Sequence, residues 1–183
     1  MPHRFATSQW IPFPVELVFA FFANPSNLPH LMPSSLQARI EDIRIEPPPT
    51  RPVAADPARR FRSVAAGVGS EILISFQPLR WVPKRASWMA RIVEFEWNCH
   101  FCDEQVRGPF QAFRHRHGIA AEERNGVEGT LVSDEVEFSF PYGLIGTVGG
   151  LIVRRELKQS FAYRQKRLPE ILSVAARQAA RRN

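Results

Sequence analysis

One feature restricts this chain more than any other: its apolar residues change period at Pro141-Tyr142-Gly143. Over residues 69–140, apolar and polar residues alternate in short blocks cut by turn residues. Beyond it, Gly146, Gly150, Val153, Leu157, Phe161, Arg164, Leu168 and Ile171/Leu172 fall on one stripe, with Lys and Arg on the remaining faces. A period of two marks strands with one buried face; a period near 3.6 marks a helix with one buried stripe. The blocks predict strands over 69–77, 87–97, 100–106, 110–121 and 129–140. The stripe predicts an amphipathic helix of about seven turns, which Pro169 would kink near its end. Consecutive strands joined by tight turns pair antiparallel. Strands followed by one long helix make an α+β domain, with a curved antiparallel sheet of about six to seven strands around the helix.

The opening of the chain supplies the rest. Residues 4–11 predict a first strand, ended by Pro12 and Pro14, which cannot donate to a ladder. Pro14 suits the first turn of a helix over 15–23, where Val18, Phe19 and Phe22 have helical spacing. Asn24-Pro25-Ser26-Asn27 breaks that helix and starts a second short one, with Ser26 as the expected cap and an end near Met32-Pro33. Residues 36–46 predict a strand whose alternation breaks before Ile43, as a bulge would make it. Residues 46–66 carry Pro47, Pro48, Pro49, Pro52 and Pro57 and no period, so they form a long loop, either mobile or a cover. No internal repeat is visible, and residues 1–183 are expected to form one domain.

Composition adds the character of the interior. With 14 Phe and 4 Trp against 2 Tyr, the chain has many apolar rings and few phenolic hydroxyls, which suits a large core or a ring-walled cavity. The net charge of +6 is local: residues 151–183 hold nine Lys/Arg against Glu156 and Glu170, so the rest is nearly neutral. That is read as the solvated face of the long helix, with a basic end over 176–183 that frays. No nucleic-acid signature accompanies it, so no nucleic-acid partner is expected, and contact with a membrane surface is the lesser reading. The oligomeric state is left open. Cys99 and Cys102 are too few for a disulfide scaffold. No apolar run approaches the ~18 residues of a membrane span, and Met1-Pro2-His3-Arg4-Phe5 has no signal core, so a cytoplasmic location is expected.

The densest polar group on a predicted strand is Arg114-His115-Arg116-His117. His115 and His117 are two apart and share a face. Asn125-Gly126 is a strong hairpin turn, and centring the hairpin on it puts His117 opposite Asp134 and His115 opposite Val136. Val132, Val136, Phe138 and Phe140 share the parity of Asp134, which marks that face as the inner one. A His117–Asp134 pair there can orient a ligand or move a proton, and it can equally be a satisfied polar pair holding two strands together. The register of the preceding strand stays open. A two-residue turn at Gly108-Pro109 puts His115 opposite Cys102 and His117 opposite His100, gathering four metal-ligand types. A three-residue loop puts His115 opposite Phe101 and brings Asp103 and Gln105 to the histidine face. The Cys-x-x-Cys at Cys99 and Cys102 lies on a strand, so its thiols point apart and are expected to be free. Gly143, Gly146, Gly149 and Gly150 precede no Lys-Ser/Thr and fit close helix-to-sheet approach better than a phosphate loop. No nucleophile elbow or triad is present.

These residues carry a resemblance. Ile11-Pro12-Phe13-Pro14-Val15-Glu16-Leu17-Val18-Phe19-Ala20-Phe21-Phe22, followed by Asn24-Pro25-Ser26-Asn27-Leu28, resembles the first strand and paired helices of the SRPBCC (START-like, polyketide-cyclase-like) proteins. Residues 101–110 with Phe113-Arg114-His115-Arg116-His117, then Gly129-Thr130 with Asp134, and residues 141–146, extend the likeness over nearly the whole chain. The resemblance implies a helix-grip fold and a cavity between sheet and helix that binds a small hydrophobic molecule: a lipid, a polyketide or an aromatic compound. Some members are cyclases or hydrolases, so a cyclase/dehydratase- or hydrolase-like enzyme is the alternative; the resemblance carries over no catalytic set, and this chain's own residues offer His117 with Asp134 or Gln105 as candidates. The family's marked positions, here Phe101, Asp103 and Gln105, favour the second register and speak against a metal site; no cofactor is expected. This chain has Phe113 where the family often has Trp. The expected ligand-binding set is Asp103, Gln105, Phe113, His115, His117, Asp134, Val136, Phe138 and Phe161.

Overall fold

The computed structural model describes residues 2–54, 56, 59, 61, 63–77, 85–140 and 143–180. The strands are β1 (His3–Ile11), β2 (Arg39–Arg44), β3 (Glu71–Phe76), β4 (Ala86–Glu96), β5 (His100–Arg107), β6 (Ala112–Ala121) and β7 (Thr130–Ser139). The helices are α1 (Val15–Phe22), α2 (Leu28–Leu31) and α3 (Gly143–Ala180). All seven strands form one antiparallel sheet in the order β1-β7-β6-β5-β4-β3-β2. The chain thus meanders from β2 to β7 and closes by laying β7 against β1. Pro57, Pro141, Tyr142, Arg181 and Arg182, which entered the expected loop, break and tail, lie outside the described residues.

Local chemistry accounts for most of the elements. Pro14 precedes α1, whose inward side is the run Leu17 to Phe22. The stop after α1 is capped by Asn24, whose side chain accepts from the Ser26 N–H at 3.1 Å. Ser26 is therefore the donor and not the cap, because the turn begins one residue before Pro25. The expected bulge in β2 is present, where pairing with β3 shifts between Ile40 and Asp42. Two further shifts, between Met89 and Ala90 and between Ile92 and Glu94, bend β4 against β5. Such bulges raise local twist and let the sheet curve around a helix. At the tip of the β6–β7 hairpin, Asn125 and Gly126 have φ of 54° and 75°, and Arg124 and Val127 exchange backbone bonds of 2.9 and 3.0 Å. The two-residue turn sets the register of the whole hairpin.

Helix α3 has 38 residues, longer than its apolar stripe. The stripe measures only the part that touches the sheet, and the helix continues as far as Ala180, into the segment expected to fray. Pro169 sits inside it. Proline has no N–H for the carbonyl four residues back, and that carbonyl, on Gln165, accepts instead from Gln9 Nε2 of β1 at 2.8 Å. Gln165 Nε2 in turn donates to Thr7 Oγ1 at 2.9 Å. An interruption within the helix thereby becomes a tie to the edge strand. Farther up, a Cβ on Gly150 would fall on the His3 ring, and one on Gly149 would meet Phe140 at 3.4 Å. Gly150 therefore serves close approach to the sheet, as expected, whereas the contact at Gly149 is one a side chain could make.

Among the described residues, the 46–66 loop acts as a cover. Ala66 N–H donates to Ala23 O at 3.0 Å and Gly67 N–H to Glu46 O at 2.9 Å. Trp97 Nε1 donates to Pro49 O at 2.7 Å, with the Arg51 guanidinium 4.2 Å above the Trp97 ring. Ala65 and Ala66 are buried. No helix among the described residues is long and apolar enough to cross a membrane.

The core divides in two. One cluster gathers Ile11, Val18, Phe19, Phe101, Ile119, Val132, Leu168 and Leu172. The other gathers Phe113, Val136, Phe138 and Phe161, with Phe5, Trp88 and Phe110 against them. Fully burying such side chains contributes about 1.5–3 kcal/mol each. β6, β7 and α3 each supply buried residues to both clusters, and each carries polar residues at the crossing.

Candidate functional site

The crossing residues are His115 and His117 on β6, between Phe113 and Ile119; Asp134 on β7, between Val132 and Val136; and Arg164 on α3, between Phe161 and Leu168. Strand alternation alone puts the three sheet residues inward, and it sends Arg114 outward to Glu94 and Glu104. The hairpin register pairs His117 with Asp134 and His115 with Val136, as the Asn125-Gly126 turn predicted.

On the other side, β5 pairs Asp103 with His115 and Phe101 with His117. This corrects the expected pairing of His115 with Phe101, while keeping Asp103 on the histidine face. The ladder stops at Glu104 and Arg114. Beyond it the Gln105 amide takes over, donating to Phe110 O at 2.8 Å and accepting from Phe110 N–H at 3.3 Å. Gln105 is thus committed to the β5–β6 loop instead of a cavity floor. The set of His100, Cys102, His115 and His117 is not assembled: Cys102 pairs with Arg116, and His100 lies 3.5 Å from Glu94.

Asp134 is the hub. Its side chain is 2% exposed. Arg164 Nη2 donates to Oδ2, while His115 Nε2 lies 3.0 Å and His117 Nδ1 3.1 Å from Oδ1. Asp103 closes the layer, with Oδ2 3.4 Å from His117 Nε2 and 3.9 Å from His115 Nδ1. Rings line both sides. Phe101 stacks on His117 at 4.3 Å, Phe161 meets His115 edge-on at 5.6 Å, and the Arg164 guanidinium lies 4.4 Å over Phe161 and 5.4 Å over Phe22.

Electrostatics follows from this burial. Desolvation, then the neighbouring His117, pushes His115 well below its usual range despite Asp103. Desolvation likewise lowers His117, opposed by the Asp103 hydrogen bond and charge. Both imidazoles are therefore neutral at pH 7, able to accept a proton or offer a lone pair. Burial brings Arg164 down to about 9, which leaves it a cation beside Asp134. Cys102 is pushed up to about 12 by burial and Cys99 is raised by its own partial burial; both are free thiols with no thiolate character.

Of the expected ligand-binding residues, Asp103, His115, His117 and Asp134 come together, and Phe113, Val136, Phe138 and Phe161 form the apolar wall beside them. Arg164 completes the layer and was expected only as a member of the helical stripe. Its signal was in the sequence: a charge at a stripe position has to find a buried partner. An open depression is lined by Ala6, Thr7, Ser8, Ser133, Asp134 and Glu135 of β1 and β7.

Seven antiparallel strands wrapped on one long helix, with two short helices after the first strand, match the crystal structure of Ara h 8.0201. The superposition has a TM-score of 0.55, covers 91% of this chain and 97% of that one, and aligns residues 14% identical. The fold is the helix grip. No family model matches the sequence, and no curated protein matches it in sequence. At this identity the likeness extends to the helix-grip fold and to nothing finer, so the role of the polar layer has to come from its own residues.

Proposed function

We propose that this protein binds a small, ring-bearing hydrophobic molecule between the sheet and α3, with the Asp134–Arg164–histidine layer engaging one polar group on it. The observation that carries this reading is the layer itself, set between two clusters rich in aromatic rings. Packing alone gives no reason for it. A buried ion pair costs several kcal/mol of desolvation per charge and is often no more stabilising than apolar residues of the same size. Binding sites, by contrast, combine apolar walls with a few placed polar groups. The helix-grip architecture supports the reading at the level of fold.

The test is a panel of fatty acids, aromatic polyketides and flavonoid-like phenols, followed by native mass spectrometry and by the fluorescence of Trp88. Saturable one-to-one binding by one class, weakened at least 10-fold by Phe161→Ala and by His117→Gln, is the expected result. A panel with no saturable binder would overturn it. The enzymatic alternative draws on one observation, two buried imidazoles each beside two carboxylates, which is the setting of a proton-transfer catalyst. It predicts that a bound ring compound is converted, and that His117→Gln abolishes conversion while the melting temperature stays within a few degrees.

A further inference from the structure

Asp103, His115, His117 and Asp134 bring two carboxylates and two imidazoles into one buried layer. Each imidazole lies between two carboxylates. His115 has Asp134 at Nε2 and Asp103 at Nδ1; His117 has Asp134 at Nδ1 and Asp103 at Nε2. An imidazole that binds a metal through one nitrogen carries its N–H on the other, so each ring can face an ion with one nitrogen and a carboxylate with the other. His117 Nδ1 is buried and has no hydrogen bond. With both imidazoles neutral, as metal ligation requires, the two carboxylates and the Arg164 guanidinium on Asp134 give the layer a net charge of −1 before an ion binds.

We propose that Asp103, His115 and His117 hold one divalent transition-metal ion, bound by Asp103 Oδ2, His115 Nδ1 and His117 Nε2, with Asp134 as the outer carboxylate that orients both rings. The geometry has three parts. One ligand atom from each of the three residues lies within 4.8 Å of the other two. Bonds of ~2.1 Å in a tetrahedron separate neighbouring ligand atoms by ~3.4 Å, against 3.4 and 3.9 Å from Asp103 Oδ2 to the two nitrogens. An ion there takes the nitrogen of each ring that faces Asp103 and leaves each N–H on the side of Asp134 Oδ1, which lies 3.0 Å from His115 Nε2 and 3.1 Å from His117 Nδ1.

The outer shell has the form that metal-bound histidines require, a carboxylate behind each ring, itself held by Arg164. The ligand set also selects the ion. Imidazole with a single carboxylate suits zinc, iron, cobalt or nickel, whereas magnesium and calcium want oxygen ligands throughout. Three protein ligands leave a fourth position open, and a divalent ion would bring the layer to +1. That charge suits an anionic oxygen at the open position: hydroxide, or the carboxylate or enolate of a bound ring compound. The inference uses the polar layer but does not need the hydrophobic ligand, and the two are measured separately.

Untagged protein stripped with a chelator is titrated with Zn²⁺ by calorimetry and with Co²⁺ by visible absorption. Binding of one ion per chain is expected, with a rise in melting temperature. Asp103→Asn and His117→Gln should each weaken binding at least 100-fold, and Asp134→Asn about 10- to 100-fold. Glu96, Cys99 and His100 at the β4–β5 turn form another group of ligand atoms within reach of one another, so Cys99→Ser is the control and should change nothing. The absence of saturable binding to the native protein would overturn the proposal. So would binding that survives Asp103→Asn, loss in Cys99→Ser, or a thiolate-to-cobalt band in the native complex. Should a variant fail to fold, that cobalt spectrum still decides between the two groups. Ligand binding by the metal-free protein reports on the proposed function alone.

Discussion

Arg164 Nη2 on α3 donates to Asp134 Oδ2 on β7, so one charge pair joins the helix to the sheet at the centre of the core. Neither charge has water to fall back on, since the two side chains are 9% and 2% exposed. Removing one partner strands the other. Arg164→Met and Asp134→Leu should each cost about 3–5 kcal/mol in urea unfolding. The double variant should cost less than either single change, because no unpaired charge remains. Additive losses would show that the pair is not coupled.

Stability should depend on pH through His115 and His117, both of which burial holds below the usual value near 6.5. Below that value the unfolded chain binds protons that the folded chain refuses. Stability is therefore full above pH 6.5 and falls as pH drops toward the depressed values, by up to about 1.4 kcal/mol per pH unit for each histidine. Urea midpoints of the metal-free protein between pH 5 and 8 measure this. The slope attributable to the pair should vanish in His115→Gln/His117→Gln.

The hairpin tip isolates a backbone effect. Gly126 has φ of 75° and nothing within 4 Å of where a Cβ would stand. Gly126→Ala therefore meets no clash and should still lower stability by about 1–2 kcal/mol through the left-handed conformation alone. Ligand and metal affinity should not change.

At Gly150 two effects oppose. Alanine is favoured over glycine inside a helix by about 1 kcal/mol. Yet a Cβ there would fall on the His3 ring of β1, and such overpacking costs about 1–3 kcal/mol. Thermal unfolding should show Gly150→Ala less stable than the native chain. Leu151→Ala, at a position 68% exposed, should shift stability by less than about 0.5 kcal/mol.

Much of the site could be read wherever its position follows from a neighbouring turn. Asn125-Gly126 sets a two-residue loop, and pairing then counts outward by parity, which placed His117 against Asp134 eight residues from the turn on either side. The β5–β6 connection offered no such anchor. Gly108-Pro109 fits more than one loop length, and the closure depends on the Gln105 amide bonding Phe110. Side-chain bonds of that kind leave no periodic trace. The Ser26 assignment failed for a related reason, since Asn24 and Ser26 both cap well and only the position of the turn chooses between them.

The sequence by itself determined the elements of this protein: alternating blocks, a long stripe, and turns whose residues admit few conformations. These are local preferences, set by backbone sterics and by which side of an element is apolar. The tertiary structure alone decided that Asp103, His115, His117, Asp134 and Arg164 become one buried layer. They come from three strands and a helix, and Asp103 and Arg164 are 61 residues apart in sequence. Their meeting depends on how far along the sheet α3 settles, and that is decided by packing at Gly150 and by the Gln9–Gln165 bond, together with the two apolar clusters on either side of the layer.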